Sequence, residues 1–185
     1  MNIPSLITWC RVVAIPIFIL CYFLPTPHQN LVLTGLFAIA SITDWLDGYL
    51  ARKWNQTSSF GAFLDPVADK LLVAAALIIL VDADPGRWFL TLAVIIIISR
   101  EITISALREW MATMGERGVV AVSWIGKWKT AFQMLAIALL LFKESVMGLP
   151  IYTLGLVFLL VATFLTLWSM VQYLYSTWRV LTQRV

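Results

Sequence analysis

Six long apolar segments make up most of this chain, and they constrain its fold more than any other feature. They run from about Pro4 to Leu24, Asn30 to Trp54, Phe60 to Val81, Trp88 to Met114, Val122 to Phe142 and Pro150 to Trp178. Each has at least the roughly 20 residues a helix needs to cross a bilayer, and the fourth and sixth are longer. A bilayer core offers no water to a backbone amide, so only helices and closed barrels span it. Continuous apolar runs lack the alternation of a barrel strand. Composition agrees: 61% of the residues are apolar and 12% charged, about half the charged share of a soluble domain. The mean hydropathy is +0.90. The chain reads as an all-α polytopic membrane protein with six transmembrane helices, forming a single domain over residues 1–185.

The connections fit that reading. Pro25 and Pro27 end the first segment, and residues 55–59 form a short polar link that makes the second and third helices antiparallel neighbours. Asp82, Asp84, Pro85 and Gly86 close the third helix, and Gly115 and Gly118 break the fourth. The N-terminus carries no basic leader or small-residue cleavage site, and Arg11 interrupts its apolar run, so it reads as a retained helix. Cys10 and Cys21 lie in that helix, roughly 16 Å apart at the helical rise, too far to bridge. They read as packing residues.

Six crossings put both termini on one side. Arg52, Lys53, Arg108, Arg117, Lys127, Lys129, Arg179 and Arg184 lie in or near that side; the other holds Arg87, Lys143 and His28 beside Asp82, Asp84 and Glu144. The positive-inside rule makes the first side cytoplasmic. The net charge of +3 suits anionic headgroups but is too small and dispersed for nucleic acid. No repeat or low-complexity stretch is visible.

Against this apolar background, four aspartates fall within residues 44–69. A carboxylate buried without a partner costs several kcal/mol, so each requires a cation or water. Asp44 and Asp47 are three apart and Asp65 and Asp69 four apart, so on helices each pair shares a face. Two such pairs on facing helices converge on one small volume. Oxygen-only donors select hard cations such as Mg²⁺, Ca²⁺ or Mn²⁺, and the single histidine lies on the other side. Two metals so held clamp the attacking and leaving oxygens of a phosphoryl transfer. Gly48 and Gly61 lie on the aspartate faces, where a missing side chain admits a phosphate-bearing ligand, and Arg52 follows one turn later as a phosphate fork. Intramembrane carboxylates also serve proton relays and ion pathways; the glycines and Arg52 favour the phosphate site over that alternative.

The stretch has the pattern D-x-x-D-G-x-x-A-R, eight residues, G-x-x-x-D-x-x-x-D. It resembles, at every fixed position, the signature of the CDP-alcohol phosphatidyltransferase family. Asn2, Pro4, Thr8 and Arg11, with residues 64–70, 99–110 and 123–130, resemble the bacterial phosphatidylglycerophosphate synthases, a branch of that family. The likeness covers nearly the whole chain. It implies a six-helix fold, a homodimer, and transfer of a phosphatidyl group from CDP-diacylglycerol to glycerol 3-phosphate, with release of CMP. Carried over, Asp44, Asp47 and Asp65 are ligands of two Mg²⁺ or Mn²⁺ ions, and Asp69 is a ligand or the general base. Gly48 and Arg52 contact the CDP diphosphate, with Gly61, Asn2 and Thr8 also lining the CDP-diacylglycerol site; Asn2 reads equally as a helix cap before Pro4. The place implied is the bacterial inner membrane, with a cytoplasmic active site.

The acceptor phosphate needs cations, and the fourth and fifth helices offer Arg100, Arg108, Lys127 and Lys129. Arg100 and Arg108 are eight apart, near one stripe of a helix. Two other readings stay open: Arg100 paired with Glu101 or an aspartate, and Arg108 and Lys129 snorkelling to the interface. Lys70 follows Asp69 and points about 100° from it on an ideal helix, which suits a structural role as well as catalysis. Tyr173 and Tyr175 read as interfacial, and most tryptophans as belt or packing residues. The alternatives are a sister enzyme using phosphatidylglycerol, inositol phosphate or serine, which the 44–69 stretch does not separate, and a cation transporter. A transporter needs acids along a whole pathway, whereas here they lie towards one side.

Overall fold

The computed structural model describes residues 3–54, 59–115, 124–145 and 148–182. Within the helices, the side chains of residues 3–11, 44–54, 59–65, 124, 125, 127, 180 and 181 lie outside the described set. Six helices follow one another: α1 (Ile3–Phe23), α2 (Gln29–Trp54), α3 (Ser59–Asp82), α4 (Trp88–Thr113), α5 (Trp124–Phe142) and α6 (Ile151–Thr182). These match the six apolar segments, except that α6 continues past Trp178 to Thr182. Pro16 and Pro66 sit inside α1 and α3, as membrane helices tolerate when neighbours take up the freed carbonyls. Gly115, at φ +81°, follows the end of α4 in the left-handed region that a glycine enters without a Cβ penalty.

Polar contacts at one end of the bundle fix the helix directions. Gln29, at the start of α2, donates to the Tyr22 carbonyl near the end of α1. The Tyr22 hydroxyl donates to Asp82 at the end of α3 (2.6 Å). Lys143, just past α5, donates to the Ala83 carbonyl (3.3 Å). Tyr152, at the start of α6, donates to Asp84 (2.6 Å), and Arg87, preceding α4, pairs with the same carboxylate. The ends of α1, α3 and α5 thus meet the starts of α2, α4 and α6. The helices therefore alternate in direction.

α3 lies centrally, packed against α1, α2, α4 and α5. Ala68, Ala76 and Leu77 of α3 are fully enclosed, as are Ile97 of α4 and Ile137 and Leu140 of α5. α6 approaches α5 closely at Gly155, where a Cβ would stand 2.9 Å from Leu140 Cγ and 3.1 Å from its backbone nitrogen. Small residues are what allow membrane helices to pack backbone against backbone. The hydroxyls of Thr163, Thr166 and Thr177, buried in α6, donate to carbonyls one turn back in the same helix. The outer faces are apolar, with Ile39, Ile78, Ile95, Phe164 and Val171 all exposed. Among the described residues, Trp88–Thr113 and Ile151–Arg179 are long and apolar enough to cross a membrane, and Val12–Phe23, Gln29–Thr43 and Trp128–Phe142 are shorter apolar stretches.

Candidate active site

α3, α4 and α5 enclose a cavity of about 230 Å³. Its polar wall is made by Asp69 and Lys70 from α3, Glu101 from α4, and Thr130 and Gln133 from α5. The rest is apolar, with Leu77, Ile97 and Met134 lining it. Asp69 and Lys70 are neighbours on α3, yet both reach this cavity, although the ideal helical angle separates them. Lys70 does so while donating to the Ser105 hydroxyl across the gap to α4.

Behind the polar wall lies a buried ionic cluster. Glu101 receives Lys129 Nζ from α5 and Arg100 Nη1 from its own helix at 3.2 Å, both on the same oxygen, Oε1. Lys129 is 3% exposed and Arg100 6%, so neither snorkels to an interface. Arg100 Nη2 also donates to Ser169 of α6 at 2.9 Å, and the Ser169 hydroxyl donates in turn to the Thr166 carbonyl. The Arg100 guanidinium lies 5.5 Å from the centroid of the Tyr173 ring. The Arg108 guanidinium lies at the same distance from that ring and donates to its hydroxyl at 3.3 Å. One aromatic side chain therefore separates two cations spaced eight apart on α4, holding both by its negative face.

Two buried polar atoms in this region have no hydrogen-bond partner, Arg100 Nε and Gln133 Oε1. A buried polar atom left unpaired costs about 1–3 kcal/mol. Such groups are uncommon in native proteins, and each calls for an explanation, a catalytic role or a bound water or ion among them.

The sequence-predicted site residues divide into two sets. Asn2 lies outside the described residues. Thr8 falls in α1, Asp44, Asp47, Gly48 and Arg52 in α2, Gly61 and Asp65 in α3, and Lys127 in α5, and their side chains lie outside the described set. Among the described residues no group of three or more His, Cys, Asp or Glu gathers as metal ligands; three of the four aspartates fall outside that search. In the second set, Asp69 lines the cavity, Arg100 and Lys129 stand behind it in ion pairs, and Arg108 is exposed beside Tyr173. The pairing of Arg100 with Glu101 is one of the alternatives its sequence left open.

Tyr173 corrects an expectation: it is 5% exposed and faces α4, whereas Tyr175 is 61% exposed. Two residues along a helix turn about 200°, so the pair never shared a face. Gln133 and Ser169 were not anticipated either. Gln133 follows Lys129 by four, on the same face of α5, which is the signal that would have found it. Ser169 has no comparable mark in a helix rich in hydroxyls.

Comparison with known proteins adds to this geometry. Residues 1–171 match the CDP-alcohol phosphatidyltransferase family. A Haemophilus influenzae protein named CDP-diacylglycerol–glycerol-3-phosphate 3-phosphatidyltransferase is 53% identical over 174 residues, covering 94% of this chain and 91% of that protein. Proteins of the same name from Salmonella typhimurium and Escherichia coli K12 are 53% and 51% identical, each covering 94% of this chain and 93% of its own length. Six helices with apolar outer faces, and a match that takes in the whole 44–69 signature, lead to one assignment: the chain is a helical membrane protein of the CDP-alcohol phosphatidyltransferase family.

Proposed function

We infer that this chain transfers the phosphatidyl group of CDP-diacylglycerol to glycerol 3-phosphate, giving phosphatidylglycerophosphate and CMP. The observation that carries this reading is identity above one half, along nearly the full length, to relatives named for that reaction. The oxygen of the attacking hydroxyl forms a bond to the lipid-bearing phosphorus. The bond from that phosphorus to the bridging oxygen breaks, and CMP leaves with the bridging oxygen. Asp69 takes the proton of the attacking hydroxyl from its place on the cavity wall. Gly48 and Gly61, with Asn2, Thr8 and Arg52, accommodate the nucleotide and diphosphate.

The family chemistry calls for a divalent cation, and the donor set fits one. The acids of the signature come from α2 and α3, which pack against one another, and carboxylate oxygens alone select hard ions. Asp44, Asp47, Asp65 and Asp69 would hold two ions, Mg²⁺ or Mn²⁺. Bound there, they supply neutralisation of the diphosphate charge and of the departing CMP.

Arg108 and Lys127, with Lys70 on the cavity wall, supply positive charge for the acceptor phosphate. Arg100 and Lys129 add to the local field while bound to Glu101. We place the chain, as one domain over residues 1–185, in the bacterial inner membrane, with both termini and the site at the cytoplasmic face and two copies forming a homodimer. CMP release, measured with and without divalent cation against glycerol 3-phosphate, serine, inositol phosphate and phosphatidylglycerol, tests the reading. Metal-dependent release with glycerol 3-phosphate alone is expected. Release driven by another alcohol, and not by this one, would transfer the chain to a sister activity.

A further inference from the structure

Glu101 poses a problem for a cavity that receives a phosphate, because a carboxylate on its wall repels one. The two cations that would offset it do not line the cavity; Lys129 and Arg100 are nearly fully buried behind Glu101 and both take its Oε1. The Glu101 side chain is 28% exposed, and among the described residues its other oxygen, Oε2, has no partner. On the same wall, Gln133 is 4% exposed and its Oε1 has no donor. The wall thus presents two hydrogen-bond acceptors lacking donors, one of them a carboxylate fixed in place by two charge-assisted contacts. A phosphate dianion has no proton to give them. A hydroxyl does.

We propose that Glu101 and Gln133 bind a non-reacting hydroxyl of the acceptor, in the cavity they share with Asp69, and so select a polyhydric alcohol. The proposal rests on the transferase reading above and deepens it. Glycerol 3-phosphate has the matching groups. Its primary hydroxyl goes to Asp69, its middle hydroxyl shares its single proton between Glu101 and Gln133 in a three-centre bond, and its phosphate lies toward Lys70, the one cation among the described residues of this wall. Lys129 and Arg100 act through Glu101, as positioning residues that hold the carboxylate rigid. A site built to bond a hydroxyl discriminates strongly against an analogue lacking it, because its acceptors are then left unpaired.

The test compares glycerol 3-phosphate with 3-hydroxypropyl phosphate, which keeps the phosphate and the primary hydroxyl and lacks the middle one. With wild-type protein, kcat/KM is expected to fall on the order of 10- to 100-fold for the deoxy compound, the range of a hydrogen bond to a charged group. In Glu101→Gln the ratio of the two values is expected to move to within about threefold of one, since the charge-assisted acceptor is gone. The ratio is internally controlled, because general damage to the fold lowers both values together. Gln133→Met keeps the ion pairs and the side-chain length; it is expected to lose about half of the discrimination on a logarithmic scale, and it serves if the Glu101 variant does not fold. Equal use of both alcohols by wild type would overturn the hydroxyl site and leave the transferase reading standing. Full discrimination retained in both variants would overturn it as well. No transfer to either alcohol by wild type would overturn both.

Discussion

Among the described residues, two regions of this bundle are built from the same kinds of residue and differ in how completely those residues satisfy one another. At the end where α3 meets α4's start, Asp82 is bonded by Tyr22, and Asp84 by Tyr152 and Arg87, whose guanidinium lies 5.0 Å from the Tyr152 ring centroid. Both aspartates there are closed by a neighbour from another helix, and the contacts fasten helix ends together. Deeper in the bundle, around Glu101 and Gln133, charge is more buried and some polar atoms are left without partners. Arg100 Nε and Gln133 Oε1 go without partners, beside a cavity. Polar groups that hold a fold together are completed by the fold. Groups that serve a ligand are left incomplete until it arrives.

This contrast is open to attack, most forcefully at Asp69. Asp69→Asn should lower CMP release by about 10²- to 10⁴-fold, the usual share of a general base, while the thermal midpoint in detergent stays near wild type. Near-normal turnover with metal still bound would remove the base role from this residue. Lys129→Met should act on stability instead. Removing one partner of a buried pair leaves Glu101 facing Arg100 alone and costs about 3–5 kcal/mol, read as a drop in thermal midpoint. Little change would mean that the buried cluster is dispensable to the fold.

Smaller effects are expected away from charge. Gly155→Val puts branched carbons against Leu140, including its backbone nitrogen, and overpacking of this kind costs about 1–3 kcal/mol. Its activity per folded molecule should stay near wild type, because Gly155 touches no part of the cavity. The smallest effect belongs to the fastened end. The hydrogen bond from Tyr152 foremost, with Arg87 beside it, holds the Asp84 carboxyl below the usual carboxylate range against the opposing effect of burial. A depressed carboxyl contributes stability that is fully present above its unfolded value, near pH 4, and is lost as the pH falls through its folded value. Tyr152→Phe should therefore flatten the acid limb of a stability profile below about pH 4 and leave KM for glycerol 3-phosphate unchanged. A shift in KM would mean that the two regions communicate.

Much of this was legible in the chain itself. The six helices follow from apolar run length, and their ends from proline, glycine and aspartate at the connections, because a bilayer leaves the backbone no other solution. The family follows from the glycines and aspartates of residues 44–69, since their fixed spacing is local and a helix converts spacing into a shared face. Charge type also pointed to α4 and α5, where Arg100 and Lys129 are found paired with Glu101. Partnership was not legible. Arg100, Arg108 and Lys129 look alike as letters in an apolar helix, yet one is exposed beside Tyr173 and two are buried on Glu101. Lys70 looks turned away from Asp69, yet the packing of α3 against α4 brings both to one cavity.

What the sequence determined by itself is therefore whatever the membrane and the helical repeat enforce residue by residue: the number of helices, their alternation and the family signature. What the tertiary structure decided is which charges cancel and which acceptors stay open. That depends on side chains 28 to 69 residues apart, such as Lys129 with Glu101 and Arg100 with Ser169. No periodicity along one helix encodes the angle at which another helix meets it.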